Sequence, residues 1–456
     1  MAAPRETLII LGAQGDLTSR LLLPGLSSLL GSSRGSEIAL IGVDRGPMTD
    51  AAWRKRVSTA FSGAPGALSG TVAARSRYLQ ADATDAADLQ RVIDAASGRV
   101  VLYFAVPPAV AAAACTALAS VKLPPGLVLA LEKPFGTDLA SARSLNRLLE
   151  TLVPEEQVFR VDHFLGKSTV LNVLGLRFAN RLFEPLMSAE HVERVEIVFG
   201  EKLGLEGRAG YYDRAGALAD MIQSHLLLVM ALVAMEVPSS VESEVLRGDM
   251  VQLLRAARPW KHDGTASRRA RYTAGDVEGR SLPSYLQEPG VDRTRGTETL
   301  AEMAIAIDNW RWAGVPFILR SGKAIGSPRQ EIVITLKPVP HLPTGFTGPS
   351  RPARIRIGLK PPVLDIDLAT NGGSDPFALE WDTLEADFAT SELSAYGEVL
   401  AELLEGDPTL SVRGDVAEQC WRIVAPVLAA WRRDAVPLDT YKAGSENPRG
   451  WSKPIA

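Results

Sequence analysis

The chain has 456 residues, about three times the ~150 residues of a typical domain, so two or three domains are expected. Hydrophobic residues make up 46% and charged residues 22%, an ordinary globular composition that excludes a disordered chain. Lys plus Arg number 49 against 53 for Asp plus Glu, a net charge of -4, and no basic stripe marks a nucleic-acid partner.

The first residues pass at once into Leu8-Ile9-Ile10-Leu11, with no sign of a secretory or transit segment. The longest apolar run, Leu226 to Met235, falls short of the ~20 residues a spanning helix needs. Cys115 and Cys420 stand far apart and build neither a disulfide framework nor a zinc site. A cytoplasmic protein without membrane partner or metal is expected.

Thr7–Leu11, Ile38–Val43, Val100–Val106, Leu127–Leu131 and Val158–Val161 are short, nearly continuous apolar runs, as strands buried on both faces of a parallel sheet are. Helical patterns at Leu17–Leu30, Ala51–Phe61, Ala86–Ala96, Val110–Ala119 and Leu139–Leu149 separate them, which predicts a doubly wound α/β domain. Beyond about residue 190, Val192–Phe199, Glu331–Leu336, Ala353–Leu359 and Val363–Leu368 alternate as half-exposed antiparallel strands do. Helical patterns at 215–236, 297–308, 394–405 and 413–433 lie among them, and Arg258 to Thr273 reads as the most polar loop. The fold class expected is an α/β Rossmann-like coenzyme domain, residues 1–165, followed by a larger α+β domain on an antiparallel sheet, residues 166–456.

Gly12-Ala13-Gln14-Gly15-Asp16-Leu17 follows the first strand and opens the first helix, where glycines let a backbone approach a pyrophosphate at a helix N-terminus. By itself a Gly-x-x-Gly pair equally suits a plain tight turn. The second strand ends at Asp44-Arg45, two residues with opposite messages. A carboxylate there accepts from a free ribose 2′-hydroxyl, whereas a guanidinium pairs with a 2′-phosphate.

Lys133, in Glu132-Lys-Pro-Phe-Gly136, stands just past a strand, where open α/β sheets bind their ligands. Arg160-Val-Asp162-His163-Phe164-Leu-Gly-Lys167 carries two cations four residues apart. If the stretch after Asp162 is helical, they share a face suited to a phosphate monoester. A solvated surface face has the same spacing. His225 lies in the least polar part of the chain, where a histidine is ordinarily a satisfied core residue and becomes a base only if a carboxylate orients it.

In these motifs the chain resembles the glucose-6-phosphate dehydrogenase family. The similarity also includes Leu176-Arg-Phe-Ala-Asn180, Asp220 to His225 with Ala234-Met-Glu236, and Asn309 to Phe317 through Arg320-Ser-Gly-Lys323. It runs nearly end to end. The resemblance implies oxidation of glucose 6-phosphate to its 1,5-lactone, with NADP the preferred acceptor and NAD accepted. It also implies a homodimer or dimer of dimers paired through the larger domain. It makes His225 the base and Asp162 the carboxylate that orients it. His163 and Lys167 would hold the phosphate, and Glu201, Asp220 and Lys323 the sugar. Lys133 would touch both coenzyme and substrate, and Gly12 to Leu17 with Arg45 would hold the coenzyme. An ordinary histidine is mostly neutral at pH 7, as a base must be, and a carboxylate partner stabilises the imidazolium that forms.

Some positions depart from the family pattern. Phe164 stands where a phosphate-donating tyrosine is usual, and Ser224 replaces an asparagine. Leu21 replaces a basic residue, Gln14 a Ser or Thr, and Asp44 a small residue. Two other readings compete: a Rossmann-type dehydrogenase of a different sugar that also uses a Glu-Lys-Pro lysine, and a non-catalytic paralogue.

Overall fold

The computed structural model describes residues 6–63, 66, 68–373, 375–389, 391–451 and 455. Residues 1–5, part of the stretch read as carrying no leader, lie outside them. The chain forms two compact units, each taken by itself. The first comprises Met1–Ser168, Pro238–Gly248 and Ser391–Glu418, and the second Thr169–Val237, Asp249–Thr390 and Gln419–Ala456.

The first unit is built on a six-stranded sheet. Its strands are β1 (Glu6–Leu11), β2 (Ala39–Asp44), β3 (Arg77–Gln80), β4 (Arg99–Phe104), β5 (Val128–Glu132) and β6 (Val158–Val161), in the order β3-β2-β1-β4-β5-β6. Every pairing is parallel. This is the doubly wound dinucleotide-binding order, which opens a crevice at the carboxyl ends of β1 and β4. Burial of β1, β4 and β5 on both faces explains their unbroken apolar runs. β3 escaped the sequence pattern because only Tyr78 of its four residues is buried.

Three of the connecting helices start on side-chain caps. The Thr49 and Asp85 side chains accept from Ala52 N–H and Asp88 N–H, and Asp138 with Ser141 forms a capping box for Leu139–Leu152. A helix from far along the chain, Ala395–Glu405, completes the unit. Gly25 makes room for it, since a Cβ there would lie 2.8 Å from Tyr396 Cβ. Arg34 fastens it through Glu398 (2.9 Å), Glu402 (2.8 Å) and Glu405 (2.6 Å).

The second unit holds a ten-stranded sheet. Its strands are β7 (Val192–Gly200), β8 (Ala257–Pro259), β9 (Ser267–Thr273), β12 (Leu300–Ile307), β13 (Phe317–Gly322), β14 (Gln330–Leu336), β15 (Arg354–Gly358), β16 (Val363–Asn371), β17 (Leu379–Asp387) and β18 (Leu438–Lys442). A separate hairpin pairs β10 (Gly275–Val277) with β11 (Arg280–Leu282). The order is β17-β16-β15-β14-β7-β13-β12-β9-β18, with β8 against β12. Most pairs are antiparallel, as expected, but β13 runs parallel to β7 and β18 to β9, so the sheet is mixed.

Two expectations are corrected here. Residues 297–308 form no helix: β12 lies inside the sheet between β13 and β9 and is buried at all eight positions, which erases the period-two alternation. The polar stretch Arg258 to Thr273 is not one loop, because it holds most of β8 and all of β9. Buried Arg269 disguised β9; it is satisfied by Val436 O (2.9 Å) and Asp434 Oδ1 (2.9 Å).

The helical stretch Ala209–Ala234 is long and apolar enough to cross a membrane by length and composition, unlike the shorter run read from the sequence, and 89% of its most apolar window is buried inside the protein. Core helices have this composition too. The stretch breaks at Gly216 (φ +68°), continues as a π-helical segment, Leu218–Leu226, and ends as the α-helix Leu227–Ala234.

Candidate active site

At the end of β1, Gly12 takes φ +89°, and a Cβ there would stand 2.2 Å from the carbonyl oxygen of Ala105. Only glycine fits both conditions. Gly12 and Ala13 N–H donate to Val43 O (2.8 and 3.0 Å), Gly15 N–H to Gly12 O (3.0 Å), and Thr18 Oγ1 to Gly12 O (2.9 Å). The turn is thus tied to β2 before the first helix begins. That helix opens as a π-helical turn, Thr18–Leu22, and becomes α-helical at Leu23. Of the turn's residues, Asp16 points into solvent, its side chain 93% exposed.

Asp44 ends β2 and turns its carboxylate onto this loop, accepting from Gln14 N–H (3.0 Å) and Arg45 N–H (2.8 Å). The Gln14 amide donates to Gly46 O (3.1 Å) and Tyr78 Oη (3.0 Å). Arg45 is exposed. Asp82 is held below the usual carboxylate range chiefly by the N–H and hydroxyl of Thr84, with the Arg45 charge contributing less. Arg56, which no motif marks, donates to Gln14 O at 2.7 Å. A bare glycine turn at the crevice fits a dinucleotide, with Gly12 to Leu17 and Arg45 as the residues to hold it.

Glu132 and Lys133 leave β5 together. The Tyr103 hydroxyl donates to Glu132 at 2.6 Å. Burial pushes the Glu132 carboxyl up to about 7, against the pull of Tyr103, Tyr396 and Lys133. Within the octapeptide, Arg160 is structural: fully buried, it pairs with Glu155 (2.7 Å) and donates to Asn146 (3.1 Å).

The stretch directly after Asp162 is not helical: residues 163–166 are successive turns and the helix starts at Ser168. Asp162 is fully buried and accepts from Phe164 N–H at 3.0 Å, which bends the chain there. His163 and Lys167 therefore share a ring, not a helix face. Phe164 is 1% exposed, its ring centre 5.2 Å from that of His163 at an interplanar angle of 64° and 3.5 Å from Lys167 Nζ, which lies over its face. Tyr396 stacks on His163, at 5.8 Å between ring centres and 14°. The departure at Phe164 thus replaces a hydroxyl donor with an apolar platform for the His163 ring and the Lys167 ammonium.

In the second unit, β7 and β13 run parallel with Gly200 opposite Gly322, so Glu201 and Lys323 emerge side by side. Their charges meet at 2.6 Å, and Lys323 Nζ lies 5.1 Å from the Tyr212 ring centre. Burial raises the Tyr212 hydroxyl well above its ordinary range, and Asp220, Glu298 and Glu201 add to the effect. Asp220 accepts from Tyr211 Oη at 3.3 Å. His225 is 1% exposed, on the π-helical segment with Asp220. Asp220 and His225 sit five residues apart on it, the interval spanned by the i→i+5 backbone bonds of a π-helix.

Asp162, His163, Lys167 and Lys133 belong to the first unit, and Glu201, Asp220, His225 and Lys323 to the second. Tyr103, Tyr396, Arg56 and Tyr212 were missed by sequence reasoning. Only contacts distant in sequence single them out, and no local signal marks them.

A dinucleotide crevice in one unit and a cluster of sugar-compatible polar groups in the other define a two-domain oxidoreductase. The family profile "Glucose-6-phosphate dehydrogenase, NAD binding domain" matches residues 9–172, and "Glucose-6-phosphate dehydrogenase, C-terminal domain" matches 174–456. The glucose-6-phosphate 1-dehydrogenase of Gluconobacter oxydans (strain 621H) is 38% identical over 470 residues, covering 96% of this chain and 94% of that one. The crystal structure of the Mycobacterium avium enzyme of the same name superposes with a TM-score of 0.85 at 33% identity, covering 98% of this chain and 96% of that one. A glucose-6-phosphate dehydrogenase in complex with glucose 6-phosphate superposes with a TM-score of 0.86 at 27% identity, covering 99% of this chain and 97% of that one.

The chain belongs to the glucose-6-phosphate dehydrogenase family. It is an oxidoreductase of glucose 6-phosphate, with NADP as its coenzyme.

Proposed function

We propose that His225 takes the proton from the anomeric hydroxyl of glucose 6-phosphate while C1 loses hydride, leaving the 1,5-lactone. Asp162 orients the imidazole and stabilises its protonated form. His163 and Lys167 hold the phosphate from the Phe164 platform, and Glu201, Asp220 and Lys323 hold sugar hydroxyls. Lys133 reaches both coenzyme and substrate, and residues 12–17 with Arg45 seat the coenzyme. NADP supplies the hydride acceptor when bound. Residues 1–165 act as the coenzyme domain and 166–456 as the substrate and dimerisation domain.

The observation that carries this reading is in the second unit. Buried His225 and half-buried Asp220 lie five apart on one π-helical segment that packs against β13, whose end presents Lys323 to Glu201. Initial rates with glucose 6-phosphate and free glucose, each with NADP and NAD, test it. The phosphate ester with NADP should be fastest. Equal rates for the two sugars would refute the phosphate roles, and a preference for NAD would refute the coenzyme order.

The second unit also supports a homodimer or dimer of dimers. β17 is an edge strand, and Leu384 on it and nearby Phe377 are 58% and 60% exposed, a surface suited to a second copy. Sedimentation should show at least a dimer, and a Leu384→Lys variant should shift it towards monomer. The compartment proposed is the cytoplasm, with neither membrane nor nucleic acid as partner.

A further inference from the structure

The helix Asp50–Phe61 brings a cation to the glycine turn. Arg56 is half-buried, and one terminal nitrogen donates to Gln14 O (2.7 Å), to Gly15 O (3.4 Å) and to Ser19 Oγ. All three acceptors are uncharged. Among the described residues Arg56 forms no ion pair, and its Nε is buried without a hydrogen-bond partner. The acid of this cluster, Asp44, is committed to two backbone N–H groups. A guanidinium withdrawn from water against neutral acceptors loses solvation that an anion would restore.

We infer that Arg56 is a second reader of the coenzyme 2′-phosphate, acting with Arg45. The inference rests on the NADP reading above. The 2′-phosphate suits the position better than the diphosphate. Arg56 reaches the turn from the helix that follows β2, and in this fold the end of β2 faces the adenosine ribose. Ser19 extends this clamp on the first helix. The family's basic residue nearby is replaced by Leu21, whose side chain is apolar and 45% exposed. The first helix keeps one cation, Arg20, which faces Asp16 at 4.0 Å, and the second helix supplies a further charge against the turn itself.

Calorimetric binding of adenosine 2′,5′-bisphosphate and of adenosine 5′-monophosphate, to the wild-type chain and to Arg56→Gln and Arg56→Lys, tests the inference. Arg56→Gln should weaken the bisphosphate about 10–150-fold, the span of one charge-assisted hydrogen bond, and change the monophosphate less than about twofold. Arg56→Lys should recover part of the loss, and the salt dependence of bisphosphate binding should fall with the lost charge. An equal loss for both ligands would make Arg56 a brace for the turn and overturn the inference, as would no loss for either. A wild-type chain that binds the two ligands equally would instead refute the NADP reading itself.

Discussion

Glu298→Gln alters the acid that supports the helical segment bearing His225. Glu298 is 7% exposed, and its Oε1 accepts from Leu218 N–H at 2.9 Å, where the π-helical segment begins. Gly216 leaves it space, since a Cβ there would stand 2.3 Å from the same oxygen. Burial pushes the carboxyl from its ordinary 4.5 up to about 7, although the Leu218 N–H and the charges of Arg269 and Arg271 pull the other way. Between those two values the folded chain keeps a proton that the unfolded chain has released. The contribution to stability is therefore complete below about pH 4.5 and lost as pH rises through about 7. At ~1.36 kcal/mol per tenfold change in proton affinity, the loss is about 3 kcal/mol. Unfolding entropies scale with length, so for a chain of this size it corresponds to about 3–4 °C in Tm.

Glutamine keeps the acceptor for Leu218 but cannot ionise. Scanning calorimetry at intervals from pH 5 to 8 should show the wild-type Tm falling by about 3 °C more than that of the variant. Glu132, also raised to about 7, is present in both proteins and cancels in the difference. Parallel Tm profiles would refute the reasoning, because they would mean that Glu298 ionises in the fold at no cost.

His225→Ala should lower kcat about 10²–10⁴-fold with a much smaller change in substrate affinity, measured by steady-state rates and direct binding. A variant retaining more than a tenth of wild-type turnover would remove His225 from the role of base. Lys167→Ala should raise KM for glucose 6-phosphate about 10–150-fold and leave the slow rate with free glucose unchanged, since the lost interaction is with phosphate. Asp44→Ala should raise the NADP-to-NAD ratio of kcat/KM, because it removes an anion beside the 2′-phosphate position. It also frees the Gln14 and Arg45 N–H groups, so KM for both coenzymes should rise slightly. An unchanged ratio would show that Asp44 serves only to tie the loop.

The strand–helix alternation of the first ~160 residues was legible because fully buried parallel strands are short, continuous apolar runs. The same rule failed where a side chain's role depends on distant partners. β12 reads as a helix until neighbours on both sides explain its burial, and β9 reads as loop until Asp434 and Val436 satisfy Arg269. The site divides along the same line. Motif residues such as Gly12, Lys133, Asp162 and His225 stand at strand ends or within an apolar stretch, positions that local pattern marks. The sequence by itself determined the class of chemistry through its resemblance to the glucose-6-phosphate dehydrogenase family, since the glycine turn, the His163/Lys167 spacing and His225 each also suit a plainer role. Only the tertiary structure decided that His163 and Lys167 meet on the Phe164 ring and not along a helix, and that Arg56 backs the glycine turn. Those facts depend on where the chain turns at Asp162 and on how helix Asp50–Phe61 packs. Both are set by long-range burial, and the spacing of residues along the chain does not encode them.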